Sequence, residues 1–211
     1  TIGSIVYIKK NLSNMKKNII CGFVLSCVGD NRSYTHIKTP SEKTLSDKAL
    51  SAAMINLKNV KVYKFLNRAS DERQYCSPLV NLPICGFCRT KAGDYKEYHT
   101  SDDNFNVMTD KGLMGSYDVI SNIIDAFEFN LKPKTKIYCE PFLSKRKMHP
   151  EISFKDSYKG KSYIGAPERW LDLTTYSDGK NTIFDIANLT QIPLKELISN
   201  LKILKKNNII K

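Results

Sequence analysis

The stretch NIICGFVLSCVGD, residues 18–30, is a near-continuous apolar run closed by Gly29 and Asp30. A short apolar run bounded by turn formers reads as a strand buried on both faces of a parallel or mixed sheet. Its carboxyl end then carries an acid. Downstream, SEKTLSDKALSAAMINL (41–57) opens with Ser41 or Thr44 as a helix cap and places Leu45, Ala49, Ala52 and Ala53 as apolar positions. NVKVYKFL (59–66) follows with β-branched alternation, a second strand. Strand, helix, strand is a βαβ unit, so the expected fold class is α/β with right-handed crossovers.

Outward from this unit, NLPICGFCR (81–89) is a third strand candidate. After it, Leu113, Tyr117, Ile120, Ile124 and Phe127 recur at steps of three and four, predicting an amphipathic helix packed on the sheet. KTKIYCEPF (134–142) reads as a further short strand. Residues 146–164 are polar, basic and aperiodic, a linker. Beyond it, Arg169 to Tyr176 and Thr182 to Leu189, with Asn181 as cap, are two short helices around the turn SDGKN. A third starts after Pro193, with Leu194, Leu197, Ile198, Leu201 and Leu204 on one face. Three helices in this order predict a winged helix-turn-helix module, with NNIIK as the start of a wing. The expected division is therefore 1–145, a linker at 146–164, and 165–211.

Composition bounds the function. The chain has 211 residues, 41% apolar and 26% charged, which is ordinary globular usage. No run has the ~18 apolar residues of a membrane span, and the first residues, with no basic region ahead of an apolar one and no small-residue cleavage site, do not read as a signal peptide. The six cysteines then suggest reduced thiols and a cytoplasmic location. The CGFC pair (85–88) has no second pair at zinc spacing and lies in a strand-like context, so it reads as buried structural thiols. A formal charge of +12 suits nucleic acid or acidic surfaces, and equally an AT-rich coding bias.

Three residues with metal or acid-base chemistry follow strands: Asp30, Asp71 and His99. In open α/β sheets ligands bind beyond the strand carboxyl ends, so the three are expected to converge on one edge. An Asp at a strand end is also a common turn former, and a lone loop His is commonly solvated.

The block SDERQYCSPLVNLPICGF (70–87) with YHTSDDN (98–104) resembles the SDH, GIP and YHT..D signature of the co-catalytic zinc aminopeptidases. It is more similar to an aminopeptidase-like bacterial family of unknown function that carries a C-terminal winged helix and is associated with polysaccharide biosynthesis. The likeness extends through CEPFLSKR (139–146) and LDLTTYSDGKNTIFDIA (171–187). It implies part of a phosphorylase/hydrolase-like three-layer sandwich that hydrolyses a peptide or amide bond with two zinc ions. Carried over by position, Asp30 and His99 match metal ligands and Asp71 an acid behind them. Asp103 matches a structural acid, while Arg73 and Tyr75 fall where substrate contacts are expected. Glu72 stands where many active relatives have histidine.

In the family an early histidine, a bridging aspartate and a general-base glutamate precede a turn like TIGS, with which this chain begins. The resemblance therefore implies the C-terminal half, inactive by itself, with a peptide or amide substrate for the intact protein. The alternatives are a non-catalytic protein of a polysaccharide pathway and a nucleic-acid-binding winged helix. For the latter, Lys195, Lys202, Lys205 and Lys206 suit phosphates, yet the third helix opens on Ile192, Pro193 and Leu194 rather than on base-reading residues, which disfavours nucleic acid. The winged helix leaves room for a homo-oligomer, and no membrane partner is expected.

Overall fold

The computed structural model describes residues 2–148 and 166–211. Contacts divide the chain into two compact units, Thr1–Ile124 and Asp125–Lys211. The sequence boundary was drawn at 145; contacts instead group 125–145 with the second unit, and most of the expected linker lies outside the described residues.

The first unit is a four-stranded sheet with helices on both faces. Its elements are α1 (Ile2–Asn18), β1 (Gly22–Leu25), β2 (Tyr34–Ile37), α2 (Leu45–Ala53), β3 (Val60–Tyr63), α3 (Glu72–Tyr75) and β4 (Ile84–Cys88). α4 (Asp110–Phe129) follows and runs across the division. Strand order is β1-β4-β2-β3. β1 pairs parallel to β4 and β2 parallel to β3, but β2 runs antiparallel to β4.

Two expectations change here. The parallel βαβ unit is β2–α2–β3, because β2 was not legible as a strand: YTHI is polar. The apolar run at 18–30 forms only a four-residue edge strand, half-buried with Leu25 exposed. The strand buried on both faces is β4, where every residue is buried.

Successive side chains of a strand point to opposite faces. Val24, Gly86 and Ile37, which are paired in register, therefore share one face, and Phe23, Cys85, Phe87 and His36 share the other. On the first face Ile84 packs with Ile8 and Met15 of α1 and with Leu82, flanked by Val24 and Tyr75. On the second, α2 lies against β2 and β4. Each such large apolar side chain contributes roughly 1.5–3 kcal/mol on burial.

α2 starts where it does because Thr44 caps it in a reciprocal capping box with Asp47. Asp47 is itself buried. It accepts from the Thr39 and Thr44 amides and hydroxyls and lies 3.2 Å from His36 Nε2. Burial pushes its carboxyl up, yet the hydrogen bonds from His36, Thr39 and Thr44 win and hold it at about 2.

The apolar stripe expected to seat α4 faces the other way: Leu113, Tyr117 and Ile124 are exposed, while Val119, Ile123 and Ala126 are buried. The cause is close approach. A Cβ on Gly112 would sit 2.0 Å from the Gly29 carbonyl oxygen, so only small residues fit where α4 starts. Ser116 then donates to the Val28 carbonyl, 2.7 Å away.

The second unit holds α5 (Ala166–Tyr176), α6 (Ile183–Thr190) and α7 (Leu194–Lys206). Leu173, Ile183, Phe184, Leu197 and Leu201 are fully buried between them. The α6 cap is Thr182, not Asn181, again in a capping box, with Asp185. Gln191, at φ 56°, ends α6 in the left-handed conformation and makes the tight turn into α7. The expected strand at 134–142 is reduced to two single backbone bridges, Lys134 to Asp178 and Thr135 to Ile210. The second of these ties the anticipated wing residue Ile210.

Candidate functional site

The site is built where β1 and β4 end side by side. After β1, Cys27 at φ 50° turns the chain toward Gly29 and Asp30. Asp30 is 5% exposed, and three donors fix its carboxylate: the Thr90 amide at 2.8 Å, the Thr90 hydroxyl at 2.7 Å and the Arg32 amide at 2.9 Å. Thr90 follows β4, so Asp30 clamps the two strand ends together.

Arg89, 2% exposed, supports this turn from behind. Its Nε donates to the Ser33 carbonyl at 2.7 Å, and its guanidinium lies 3.7 Å from the Tyr34 ring centre. A buried cation satisfied by carbonyls and an aromatic face holds its backbone partners rigidly.

The loop that carries His99 is tied to the same turn. Arg32 and Glu97 form a two-pronged ion pair at 3.1 and 2.9 Å, and the guanidinium holds the Glu97 carboxyl below its usual range. Tyr95 lies 5.6 Å from Arg32 and donates to Asp103 at 3.4 Å. Burial, with Cys27 and Asp103 nearby, pushes its phenol well up. Between turn and loop opens a cavity of about 600 Å³ whose walls include Asp30, Tyr95, Tyr98, Asp103, Phe105 and Met108. It is aromatic and apolar, with an acid on each side, a lining suited to orienting a ligand by a few polar groups.

Asp30 and Asp103 thus share one cavity. His99 borders it through Tyr98, on which its ring stacks at 3.9 Å, and it is exposed with φ 60°. Asp71 precedes α3 on the connection from β3. β3 runs opposite to β1 and β4, so Asp71 does not follow a strand parallel to them; the connection that carries it comes back instead to the ends of β1 and β4, where its neighbours Ser70 and Glu72 line one cleft with Ser26, Cys27 and Cys88. Arg73 is exposed, donating to the Ser70 carbonyl beside a hollow lined by Leu66 and Arg68. Tyr75 packs on the α1 core cluster. Neither of these two lines the Asp30 cavity.

The strand thiols are structural in position. Burial pushes Cys85 far up and Cys88 up to about 12. Among the described residues, one group of three His, Cys, Asp or Glu side chains gathers its donor atoms within 4.8 Å: His36, Asp47 and Cys85 in the core. Asp30 and His99 belong to no such group, and Asp30 already serves three donors. Asp30 and His99 by themselves fall short of the three or four protein ligands that a zinc ion takes.

Sequence reading missed the Arg32–Glu97 pair, Tyr95, Thr90 and Arg89. The signal for Thr90 and Arg89 was their place just after a buried strand; nothing local pointed to the pair, whose partners lie far apart in the chain.

An α/β unit with this cavity, followed by a winged helix, defines a two-part class of protein. Residues 1–130 match the family "Domain of unknown function (DUF4910)", and residues 131–211 match a winged helix-turn-helix family. The chain belongs to the DUF4910 family. It is 34% identical over 193 residues to a Clostridium acetobutylicum protein provisionally named a polysaccharide biosynthesis protein with aminopeptidase-like domain, covering 89% of this chain and 42% of that one. A crystal structure from the same organism, described provisionally as a peptidase, matches with a TM-score of 0.81 and 29% identity, over 100% of this chain and 46% of that one. The chain thus spans less than half the length of these relatives. No helix among the described residues is long and apolar enough to cross a membrane.

Proposed function

We propose that this chain forms one half of a peptidase-like hydrolase acting on a peptide or amide bond, with the Asp30 cavity as its share of the active site. The observation that supports this most directly is the clamp of Asp30 onto Thr90 beside a cavity closed by the loop of Tyr98 and His99. In this reading Asp30 and His99 are two ligands of a zinc pair. Asp71 stands behind them, and the remaining ligands and the general base come from a preceding portion. The half-built zinc set agrees with that. So does the apolar surface of the first unit: Ile2, Ile5, Val6 and Tyr7 on α1, Leu25 on the open edge strand, and Met114 and Tyr117 on α4 are all about half exposed or more. Large apolar side chains left open to solvent are in keeping with a further segment that covers them in the working protein.

In this reading the substrate is a small peptide or amide, and the aromatic and apolar lining of the cavity suits its side chains. A role in a polysaccharide pathway rests only on the name of the Clostridium relative.

The test is reconstitution. The chain is mixed with the portion of the Clostridium acetobutylicum relative that precedes the match, and release of nitroaniline from aminoacyl nitroanilides is followed with added zinc. The expected result is turnover that is lost in Asp30→Ala. A complex in which Asp30→Ala works as fast as the unaltered chain removes the proposal.

A further inference from the structure

Arg73 was expected to contact substrate, yet it lies outside the Asp30 cavity, and its own surroundings form a second concave site. Arg68 ends a single 3-10 turn, Phe65–Asn67, while Arg73 and Gln74 belong to α3. The backbone between the two arginines is pinned by the buried Glu72, whose Oε1 accepts from the amides of Ala69 at 2.7 Å and Ser70 at 3.0 Å. The Arg68 guanidinium lies 4.9 Å from the centre of the Phe65 ring, with Nη1 3.5 Å from the Phe65 carbonyl oxygen. Arg73 uses only Nε on the protein, donating to the Ser70 carbonyl at 3.1 Å. Among the described residues the other guanidinium nitrogens of both arginines, and the Gln74 side-chain amide, have no hydrogen-bond partner.

Leu66, Arg68, Arg73 and Gln74 line one hollow of about 410 Å³. No carboxylate is among its walls, and no Asp or Glu among the described residues pairs with either arginine. Lys58, Lys61 and Lys64 lie on the same stretch of chain, against Asp71 and the buried Glu72. A concave surface lined by one sign of charge concentrates the opposite ion.

We propose that this hollow binds the phosphate group of a small molecule. A guanidinium stays charged at any pH the protein meets, so the positive charge of the site is permanent. Its planar fork matches two oxygens of a phosphate at once, and each such charge-assisted bond is about twice as strong as a neutral one. Two guanidinium groups around one hollow select a dianion, since a single carboxylate neutralises only one of them. The volume is that of a small-molecule site and leaves room for an organic body beside Leu66, which is 84% exposed. Because Glu72 and the Phe65 ring already hold the connection and Arg68 in place, little ordering is left for the ligand to impose. The inference stands on Arg68, Arg73 and Gln74 and does not require that the protein be a hydrolase.

The test is calorimetric titration of the full chain, in a phosphate-free buffer of low ionic strength, with phenyl phosphate, inorganic phosphate and phenylacetate in separate runs. One equivalent of a phosphate probe should bind saturably, roughly tenfold tighter than phenylacetate, which brings a single charge. Tighter binding of phenyl phosphate assigns the hollow to a phosphate ester, and tighter binding of inorganic phosphate assigns it to the free ion. Arg68→Gln and Arg73→Gln each remove a guanidinium from an exposed position, where substitution leaves the fold intact, and each should weaken phosphate binding roughly tenfold. Lys180→Gln, which removes one charge from an exposed position of the second unit, should leave the affinity unchanged. The proposal is overturned by any of three results: no saturable binding of either phosphate probe, phenylacetate binding as tightly as they do, or arginine variants that bind no more weakly than Lys180→Gln.

Discussion

Replacing Asp47 by alanine should cost the first unit about 4 kcal/mol. Asp47 is 3% exposed and receives the amides and hydroxyls of Thr39 and Thr44 as well as the His36 ring. Its removal leaves two fully buried groups, the Thr39 amide and the His36 ring, unpaired at about 1–3 kcal/mol each, and removes half of the α2 capping box at about 1 kcal/mol. Against a total stability on the order of 5–15 kcal/mol this is a large fraction. Urea unfolding followed by far-UV circular dichroism is the assay, since the single tryptophan, Trp170, lies in the second unit and does not report on α2. A midpoint drop of about 2 M is expected at a slope of about 2 kcal/mol/M.

The same residue predicts a pH dependence. Its folded carboxyl is held at about 2 against an ordinary 3.8. The folded pKa is the lower one, so the stabilisation is fully present above pH ~4 and is lost as pH falls toward 2. The difference of nearly two units amounts to roughly 2 kcal/mol. Asp47→Asn should lack this contribution, so the gap between the native chain and the variant should narrow across that window. A variant within 1 kcal/mol of the native chain at pH 7, or a gap that stays constant down to pH 2, refutes the reasoning.

Three further outcomes follow from the packing. Gly112→Ala would drive a Cβ into the Gly29 and Asp30 carbonyl oxygens, so its melting temperature should fall by several degrees; an unchanged value would show that α4 and the Asp30 turn are not in close contact. Asp30→Ala strands the Thr90 amide and hydroxyl and should cost about 2–4 kcal/mol by urea unfolding, with no loss indicating that the clamp is dispensable. In the second unit Leu197→Ala opens a cavity at a fully buried position and should cost about 2–5 kcal/mol, whereas the exposed Leu189→Ala should cost under 1, and equal effects would contradict the assignment of faces.

Much of the frame could be read locally. Ser41 or Thr44 marks the start of α2, of which the structure selects Thr44, and the leucines of α7 declare a helix, because capping and a 3.6-residue period are properties of neighbours in sequence. What escaped depends on partners distant in sequence. β2 is polar because its inward side chains, Thr35 and His36, are satisfied by the Arg89 carbonyl and by Asp47, so no apolar alternation marks it. The direction of β3 follows from pairing with that unseen strand, so only β1 and β4 end side by side at the site. In α4 two stripes share one helical period, and the bulkier one was chosen; the buried one uses Gly112, Ser116 and Ala126 because the helix approaches the Asp30 turn closely. At the candidate site, motif residues located Asp30 and His99, but the ion pair of Arg32 with Glu97 that draws their segments together spans 65 positions.

The central claim, that this chain carries part of a hydrolytic site and not the whole, is tested most directly by assaying the 211-residue chain alone on aminoacyl nitroanilides with added zinc. The account predicts no release above the rate without protein. Turnover by the chain alone that disappears in Asp30→Ala would contradict it.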